Sequence, residues 1–200
     1  MSPLPHRPLS RVLVELGQTA GERVSLAELT ESLTDRSFAA LIILFAAPNL
    51  LPLPPGSSTV FGIPLILVAS QLLLGRPRLW LPRVLRERSL DQATFANITV
   101  KMEPVLRRLE RLARPRWWLM PQVLAERFTG MVVLLMALVL IFPIPFGNWT
   151  PALAAMLVAL GLSERDGLWL AVGTLVAAGS LGLVAGILGS LGYAANGLLQ

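Results

Sequence analysis

The sequence contains no cysteine and a single histidine, His6, in its 200 residues. Without cysteine the chain has no disulfide framework, no thiolate metal site, no iron–sulfur cluster and no cysteine nucleophile. One histidine is too few for a multi-histidine metal site and argues against an internal Ser/His/Asp triad. We therefore predict no catalytic residues, no metal ligands and no cofactor.

Charge is scarce as well, because only 14% of the residues are charged whereas 54% are apolar, and the mean hydropathy is +0.65. These values indicate a membrane protein. The net charge of +5 is unevenly distributed: residues 76–116 are strongly basic, but 37–75 and 128–163 carry no charge. Basic residues that flank apolar stretches are typical of the cytoplasmic face of a membrane, so we expect membrane lipids as partners and no nucleic acid.

Residues 1–36 form a cytoplasmic leader in this interpretation. The apolar run 12–16 is too short for a signal peptide and contains Glu15, so we expect no cleavage and a cytoplasmic N-terminus. Residues 25–35 have the pattern of an amphipathic helix with Ser25 as its N-cap. This helix could lie on the membrane surface or pack against the protein, and the sequence leaves both open.

The first uncharged region, 37–75, is interrupted in its middle by a cluster of helix breakers: Pro48, Pro52, Pro54, Pro55 and Gly56. Because proline lacks the backbone donor and clashes with the preceding turn, no helix passes through the cluster. Two helices remain, at about 38–51 and 60–74. Each is roughly 21–23 Å long, which is less than the ~30 Å hydrocarbon layer. The region therefore predicts a broken hairpin whose helices are too short to span comfortably.

Residues 128–162 repeat this pattern, with helices at about 129–142 and 151–162. When the two regions are aligned at a constant offset of 91 residues, identical residues fall at the same positions: Arg36 and Arg127, Pro52 and Pro143, Pro54 and Pro145, Gly56 and Gly147, and Thr59 and Thr150. Asp35 aligns with Glu126, which is also acidic. We interpret the match as an internal duplication. The chain then divides into the leader, the first hairpin, a basic interfacial segment at 76–127, the second hairpin, and a polar loop followed by a C-terminal transmembrane helix at 163–200.

The two breaks are the best candidates for a ligand site. Hydrocarbon holds no water, so unpaired backbone groups at a break must be buried in protein or line a wet cavity. We predict that each hairpin is re-entrant and that the second helix of each pair points its N-terminus inward, where it attracts an anionic or polar ligand. Residues of the types that cap a helix start stand at these ends: Ser57, Ser58 and Thr59 in the first copy, and Asn148 and Thr150 in the second. The predicted ligand-binding residues are Pro52, Pro54, Gly56, Ser57, Ser58, Thr59, Pro143, Pro145, Gly147, Asn148 and Thr150. The alternative is that the breaks are ordinary turns between short transmembrane helices.

Ionisable residues are confined to the edges of the apolar regions. The candidates for gating or coupling are Arg36, Arg127, Glu164, Arg165 and Asp166. The two adjacent acid–arginine pairs are Asp35–Arg36 and Glu126–Arg127, and the alternative for them is an interfacial anchor or an ion pair. For Glu164 and Asp166 the alternative is a helix cap in a loop.

Asn49, Gln71 and Asn148 are interior amides that could form hydrogen bonds to other helices or to a substrate. A repeated hairpin entering from one side predicts a parallel repeat, although an inverted one is not excluded.

Residues 168–192 are long enough to cross the bilayer. Small residues recur at every fourth position of this helix, at Ala178, Gly182, Gly186 and Ser190. We expect this face to pack against the hairpins, with a dimer contact as the alternative, so a homodimer stays open. In the basic segment, Trp80, Trp117 and Trp118 predict surface helices anchored at the lipid headgroups.

The sequence resembles the exopolysaccharide-synthesis ExoD family over about residues 20–192. The resemblance rests on three motifs taken together, which are PLPPG at residues 52–56, FGN at 146–148 and ERDG at 164–167. It implies a bacterial inner-membrane protein associated with exopolysaccharide production, and it brings no catalytic residues.

The predicted fold is thus an all-α integral membrane protein with two repeated, proline-broken and re-entrant hairpins, a C-terminal transmembrane helix and amphipathic cytoplasmic helices. The predicted function is transporter-like support of exopolysaccharide synthesis or export in the inner membrane. Two alternatives stay open: a non-transporting assembly factor for the polysaccharide machinery, and an enzyme acting on a lipid-linked sugar or phosphate.

Overall fold

A computed structural model of the protein describes residues 23–25, 37–50, 57–76, 79–80, 82, 89–91, 97, 100–101, 103–104, 107–108, 111–142 and 148–198. These residues are mostly helical, as predicted. The continuous helices among them are α1 Ser37–Ala46, α2 Ser57–Leu73, α3 Gln122–Ile141, α4 Trp149–Glu164 and α5 Gly167–Leu198. A 3-10 turn, Ala47–Leu50, extends α1.

A short antiparallel ladder joins the leader to the basic segment, and the sequence analysis did not predict it. Strand β1, Arg23–Ser25, pairs with strand β2, Ser89–Asp91, with Val24 opposite Leu90. Ser25 therefore lies in a strand instead of capping a helix at 25–35. The remainder of that predicted helix, 26–35, lies outside the described residues.

The helix ends agree with the internal duplication. The 3-10 turn ends at Leu50 and α3 ends at Ile141, which is the same offset of 91 residues. Helices α2 and α4 also end alike: in each, the amide one residue past a left-handed position donates to the carbonyl five residues back. These bonds run from Arg76 N to Gln71 O and from Asp166 N to Gly161 O. Both copies therefore end their second helix with the same Schellman geometry.

Helix α3 begins seven residues before the predicted start at 129, directly after Pro121. The prediction placed the start at the edge of the uncharged region, but Glu126 and Arg127 are good helix formers and do not end a helix. Helix α5 is likewise longer than predicted at both ends. The apolar boundary and the helix boundary are therefore different positions in this chain.

Helices α2 and α3 pack against each other in opposite directions. Near one end of the pair, a Cβ added to Gly130 would lie 2.8 Å from Leu73 Cα; near the other, one added to Gly62 would lie 3.2 Å from the side chain of Ile141. Both breaks therefore lie at one end of the helices, which we call the break end, and the charged flanks lie at the opposite base end. The two hairpins run side by side in the same direction, as in a parallel repeat.

The core is built around α1 and α4. Every residue of Ala39–Ala47 is at most 5% exposed, and α4 is buried along most of its length. A helix that is apolar all round is typical of a protein core or of a membrane span. Helix α1 contacts α2 and α4, and α4 also contacts α3 and α5.

The outer helices expose apolar side chains instead of polar ones. The exposed large side chains of α3 recur on one face, at Leu124, Met131, Leu135 and Leu138. In water such a stripe would favour aggregation, whereas lipid solvates it. Among the described residues, Gln122–Ile141 and Gly167–Ile187 are long and apolar enough to cross a membrane.

The prediction that the small-residue face of α5 packs against the hairpins is wrong for Gly182 and Gly186. A Cβ at either position would have no described atom within 4 Å. The close contact is made earlier in the helix, where a Cβ on Gly173 would lie 2.7 Å from Val158 N. Helix α4 is 16 residues long and α5 is 32, so the second half of α5 extends past the helix that it packs on.

Candidate functional site

A hydrogen bond at the break end joins two residues that flank the breaks. The Thr59 hydroxyl, in the first turn of α2, donates to the carbonyl of Ile141, the last residue of α3, at 3.0 Å. The last carbonyls of a helix have no partner within the helix, and Thr59 satisfies one of them. Residues that lie 82 positions apart thus meet beside both breaks.

Helix α4 also begins at the break end, and its first turn forms a hydrogen bond with α5. The Thr150 hydroxyl donates to Ser180 Oγ at 3.2 Å, and Ser180 is buried. Asn148 occupies the N-cap position of α4 but makes no capping hydrogen bond through its side chain. Its Oδ1 atom is buried and has no hydrogen-bond partner among the described residues.

The predicted capping roles of these polar residues are therefore not found. Asn148 does not cap α4, because its backbone is helical at φ −82° and ψ −12°, whereas a capping residue is typically extended. Thr59 and Thr150 point their hydroxyls at neighbouring helices instead. Ser58 is buried in the first turn of α2, and Ser57 begins that helix.

The structure separates the predicted site residues into two groups. Those that flank the breaks, Ser57, Ser58, Thr59, Asn148 and Thr150, lie at the break end, whereas the described gating candidates, Arg127, Glu164, Arg165 and Asp166, lie at the base end. The length of α4 separates the groups by roughly 24 Å. The remaining predicted residues lie outside the described part of the chain, namely Arg36, Pro52, Pro54, Gly56, Pro143, Pro145 and Gly147.

Asp166 is the most completely buried charged side chain among the described residues, with 0% exposure. Its carboxylate accepts hydrogen bonds from Arg114 N at 2.9 Å and Leu168 N at 3.0 Å. It also forms an ion pair with Arg116 Nε at 3.1 Å. The bond from Leu168 caps α5, as the alternative interpretation of this residue predicted. The other two attach the loop before α3 to the turn between α4 and α5.

These contacts determine the protonation state of Asp166. Burial raises the pKa of its carboxyl, but the hydrogen bonds from Arg114 N, the Arg116 side chain and Leu168 N outweigh burial, so the pKa lies below its usual value of 3.8. Asp166 is therefore ionised at neutral pH. A carboxylate that is ionised, buried and fully occupied by donors is suited to holding a loop in place.

Two interior amides serve the fold. Gln71 accepts a hydrogen bond from Trp80 N and donates one to Trp80 O, each at 2.7 Å, so it attaches the chain after α2 to the helix. Asn49 donates to Phe45 O at 3.0 Å within its own helical turn. A buried amide with a backbone partner has less hydrogen-bonding capacity left for a substrate.

Arg127 lies against the end of α2. A Cβ on Gly75, which has φ +67°, would be 3.3 Å from Arg127 Nε. The cation therefore lies near the C-terminal carbonyls of α2, where positive charge is favourable. Glu126 accepts a hydrogen bond from Gln122 within α3.

Sequence reasoning missed Ser180 and Arg116. Ser180 is an isolated hydroxyl in an otherwise apolar stretch of α5, and that isolation is the one signal that could have identified it. Arg116 is one of eleven arginines in the basic segment, so only the tertiary contact with Asp166 distinguishes it. Among the described residues, no three His, Cys, Asp or Glu side chains lie together in a group that could hold a metal ion.

The chain is similar in sequence to one protein family and to two curated proteins. The family model described as exopolysaccharide synthesis, ExoD, matches residues 9–186. An uncharacterized protein of Synechocystis sp. is 36% identical over 150 residues, which cover 74% of this chain and 71% of that protein. Protein ExoD of Rhizobium meliloti is 34% identical over 158 residues, which cover 76% of this chain and 65% of the relative. No solved structure matches significantly.

The matched region contains all five described helices except the last twelve residues of α5. Family membership associates the chain with exopolysaccharide synthesis, and its two long apolar helices are consistent with a membrane protein. The chain belongs to the exopolysaccharide synthesis ExoD family.

Proposed function

We propose that this protein is a multi-pass protein of the bacterial inner membrane that supports exopolysaccharide synthesis or export by binding a polar or anionic ligand between its two broken hairpins. In this proposal the N-terminus is cytoplasmic and both hairpins enter from the cytoplasmic side. The observation that carries it is the Thr59–Ile141 hydrogen bond, which brings the two breaks together.

The position of the breaks along α5 supports the re-entrant arrangement. Helix α5 begins at Gly167 beside the charged base end, and its contact with the start of α4 is at Ser180. Thirteen residues of helix correspond to about 20 Å, and the hydrocarbon layer is ~30 Å thick. If α5 enters the hydrocarbon at its start, the break end lies inside the layer and not on its far side.

The chemistry of the break end favours a neutral hydrogen-bonding surface over a charged one. The described residues that flank the breaks carry hydroxyl and amide groups and no charge. The buried Oδ1 of Asn148 is an acceptor with no donor among the described residues, and a sugar hydroxyl or a bound water would supply one. The starts of α2 and α4 add backbone amides that favour a phosphate or a carboxylate. A lipid-linked sugar phosphate offers both kinds of group.

Cysteine labelling tests whether the two breaks lie inside the membrane, and the natural sequence contains no cysteine that would interfere. We expect Ser57→Cys and Asn148→Cys to resist a membrane-impermeant maleimide applied from the periplasmic side of cells. Arg165→Cys, which is exposed at the base end, is the matched control and should react only from the cytoplasmic side. Rapid periplasmic labelling at residues 57 and 148 would identify the breaks as ordinary external turns and remove the proposed site.

A threonine pair tests the function. Thr59→Val removes the hydrogen bond between the breaks, whereas Thr174→Val makes the same chemical change where the hydroxyl bonds within its own helix, to Leu170 O. We expect exopolysaccharide yield to fall for Thr59→Val, and for Gly56→Leu and Gly147→Leu, but not for Thr174→Val. Unchanged yield in all the break variants at normal protein levels, together with no ligand uptake in reconstituted vesicles, would contradict the proposal.

A non-transporting assembly factor is the second candidate. It is favoured by the open face of α5 around Gly182 and Gly186, which leaves room for another helix. It predicts that substitutions among Arg107, Arg108, Arg111 and Arg114 abolish exopolysaccharide production while changes at the breaks do not. The two sets of variants thus distinguish the candidates.

A further inference from the structure

The loop at residues 113–119, which we call the interfacial loop, is attached to the beginning of α5. Asp166 accepts hydrogen bonds from Arg114 N and Arg116 Nε, and Gly167 N donates to Arg116 O at 2.9 Å. The same loop leads directly into α3, which begins at Gln122. The two helices long enough to span a membrane therefore start at one level, and the interfacial loop lies at that level.

The loop exposes large apolar side chains at this level. Trp117 is 73% exposed and Leu119 is 91% exposed. Trp117 also has φ 53°, a left-handed conformation that is unfavourable for a residue with a Cβ. The attachment to α5 maintains it: a Cβ on Gly167 would lie 2.9 Å from the carbonyl carbon of Trp117, so only glycine fits there. The fold thus holds a tryptophan outward at some conformational cost.

Positive charge accompanies these apolar side chains. Arg111 and Arg114 are exposed, and neither side chain forms an ion pair with any residue that the structure describes. Arg107, one turn before Arg111, differs because it pairs with Glu103 at 2.6 Å. Exposed indole and leucine next to exposed guanidinium groups, at the start of two spans, match the interface of a membrane that contains anionic lipid.

We propose that the interfacial loop, together with Arg111 just before it, binds anionic phospholipid, with Arg111 and Arg114 contacting headgroup phosphates and with Trp117 and Leu119 inserted at the boundary with the acyl chains. Asp166 acts as a positioning residue that holds the loop in this orientation. The proposal rests on the membrane location given under the proposed function. It does not depend on a ligand site at the break end.

The test uses the full chain with a fluorophore on Leu119→Cys, reconstituted into phosphatidylcholine nanodiscs. Quenching is measured with headgroup nitroxide analogues of phosphatidylglycerol and of phosphatidylcholine. We expect both analogues to quench and the anionic one to be preferred. Replacing Arg111 and Arg114 with glutamine should reduce that preference about fivefold for each arginine.

Arg107→Gln is the matched control, because it removes an arginine whose charge is already paired, and it should leave the preference nearly unchanged. Equal loss in the control would assign the effect to overall charge and overturn the proposal, as would the absence of quenching by either lipid. The labelling of residues 57 and 148 reports independently on the break end. If the label at residue 119 is quenched without preference for the anionic lipid while residues 57 and 148 stay protected, only this inference is refuted. If residues 57 and 148 are labelled from the periplasm while the loop still prefers the anionic lipid, only the ligand site is refuted.

Discussion

Gly130→Ala tests the contact that aligns the two hairpins. A Cβ at residue 130 would lie 2.8 Å from Leu73 Cα and 2.9 Å from Leu72 C, and nearer still to Leu73 N. These are backbone atoms of α2, so no side-chain rotation can relieve the overlap. The methyl group fits only if α2 and α3 separate near the base end.

The size of the effect follows from two opposing contributions. Alanine is favoured over glycine inside a helix by about 0.5–1 kcal/mol. Overpacking of a closely packed contact costs typically about 1–3 kcal/mol. Because the contact is between backbones, we take the upper part of that range and expect a net loss of about 1–2 kcal/mol. For a chain of this size this corresponds to a Tm lower by roughly 2–8 °C.

The assay is thermal unfolding of the purified protein in one detergent, followed by tryptophan fluorescence. Gly186→Ala is the control, because a Cβ there would have no described atom within 4 Å, and it should raise the Tm slightly. If Gly130→Ala also raises the Tm, the close antiparallel packing of α2 on α3, and with it the common direction of the two hairpins, is wrong.

Two further predictions concern the turn between α4 and α5. Asp166→Asn should destabilise the protein by about 2 kcal/mol at neutral pH, because a charged acceptor of several hydrogen bonds is lost. The pKa of Asp166 is lower in the folded protein than the usual 3.8, so this stabilisation is present above pH 3.8 and is lost as the pH falls through the folded pKa. The unfolding curves of the natural protein and of Asp166→Asn should therefore converge in acid. A difference in stability that does not change with pH would contradict the lowered pKa of Asp166. Arg165→Gly should stabilise by about 0.5–1 kcal/mol, because Arg165 ends α4 at φ 51° and glycine adopts this conformation without strain; a lower Tm would instead indicate that the arginine side chain has a stabilising role.

The helices of both hairpins could be predicted from composition and from glycine and proline positions alone. The structure has each of them within a few residues of its predicted place, apart from the early start of α3. The ladder between β1 and β2 could not be predicted, because three-residue strands show no periodicity and their pairing joins positions about 66 residues apart. The function of Asp166 was left open between gating and capping, since both need a polar residue at a helix start.

At the break end, the hydroxyl groups at the helix starts have partners other than those predicted from the sequence. Thr59 and Thr150 were expected to cap their own helices, as threonine at a helix start commonly does. In the structure each bonds across to another helix, and the duplicated positions even differ, since Thr59 reaches Ile141 while Thr150 reaches Ser180. Only the second copy is followed by α5, so only there does that helix supply a partner.

The sequence by itself determined the apolar character, the residue matches at a constant offset of 91, the interruption of both hairpins and the family, because each depends on residue types and their spacing along the chain. The tertiary structure decided which ends meet, which arginine pairs with Asp166, and which glycines lie in helix contacts. Glycines look alike in a sequence; whether one lies against a neighbouring backbone, as Gly130 does, or in open space, as Gly186 does, depends on how far each helix extends beside its partner.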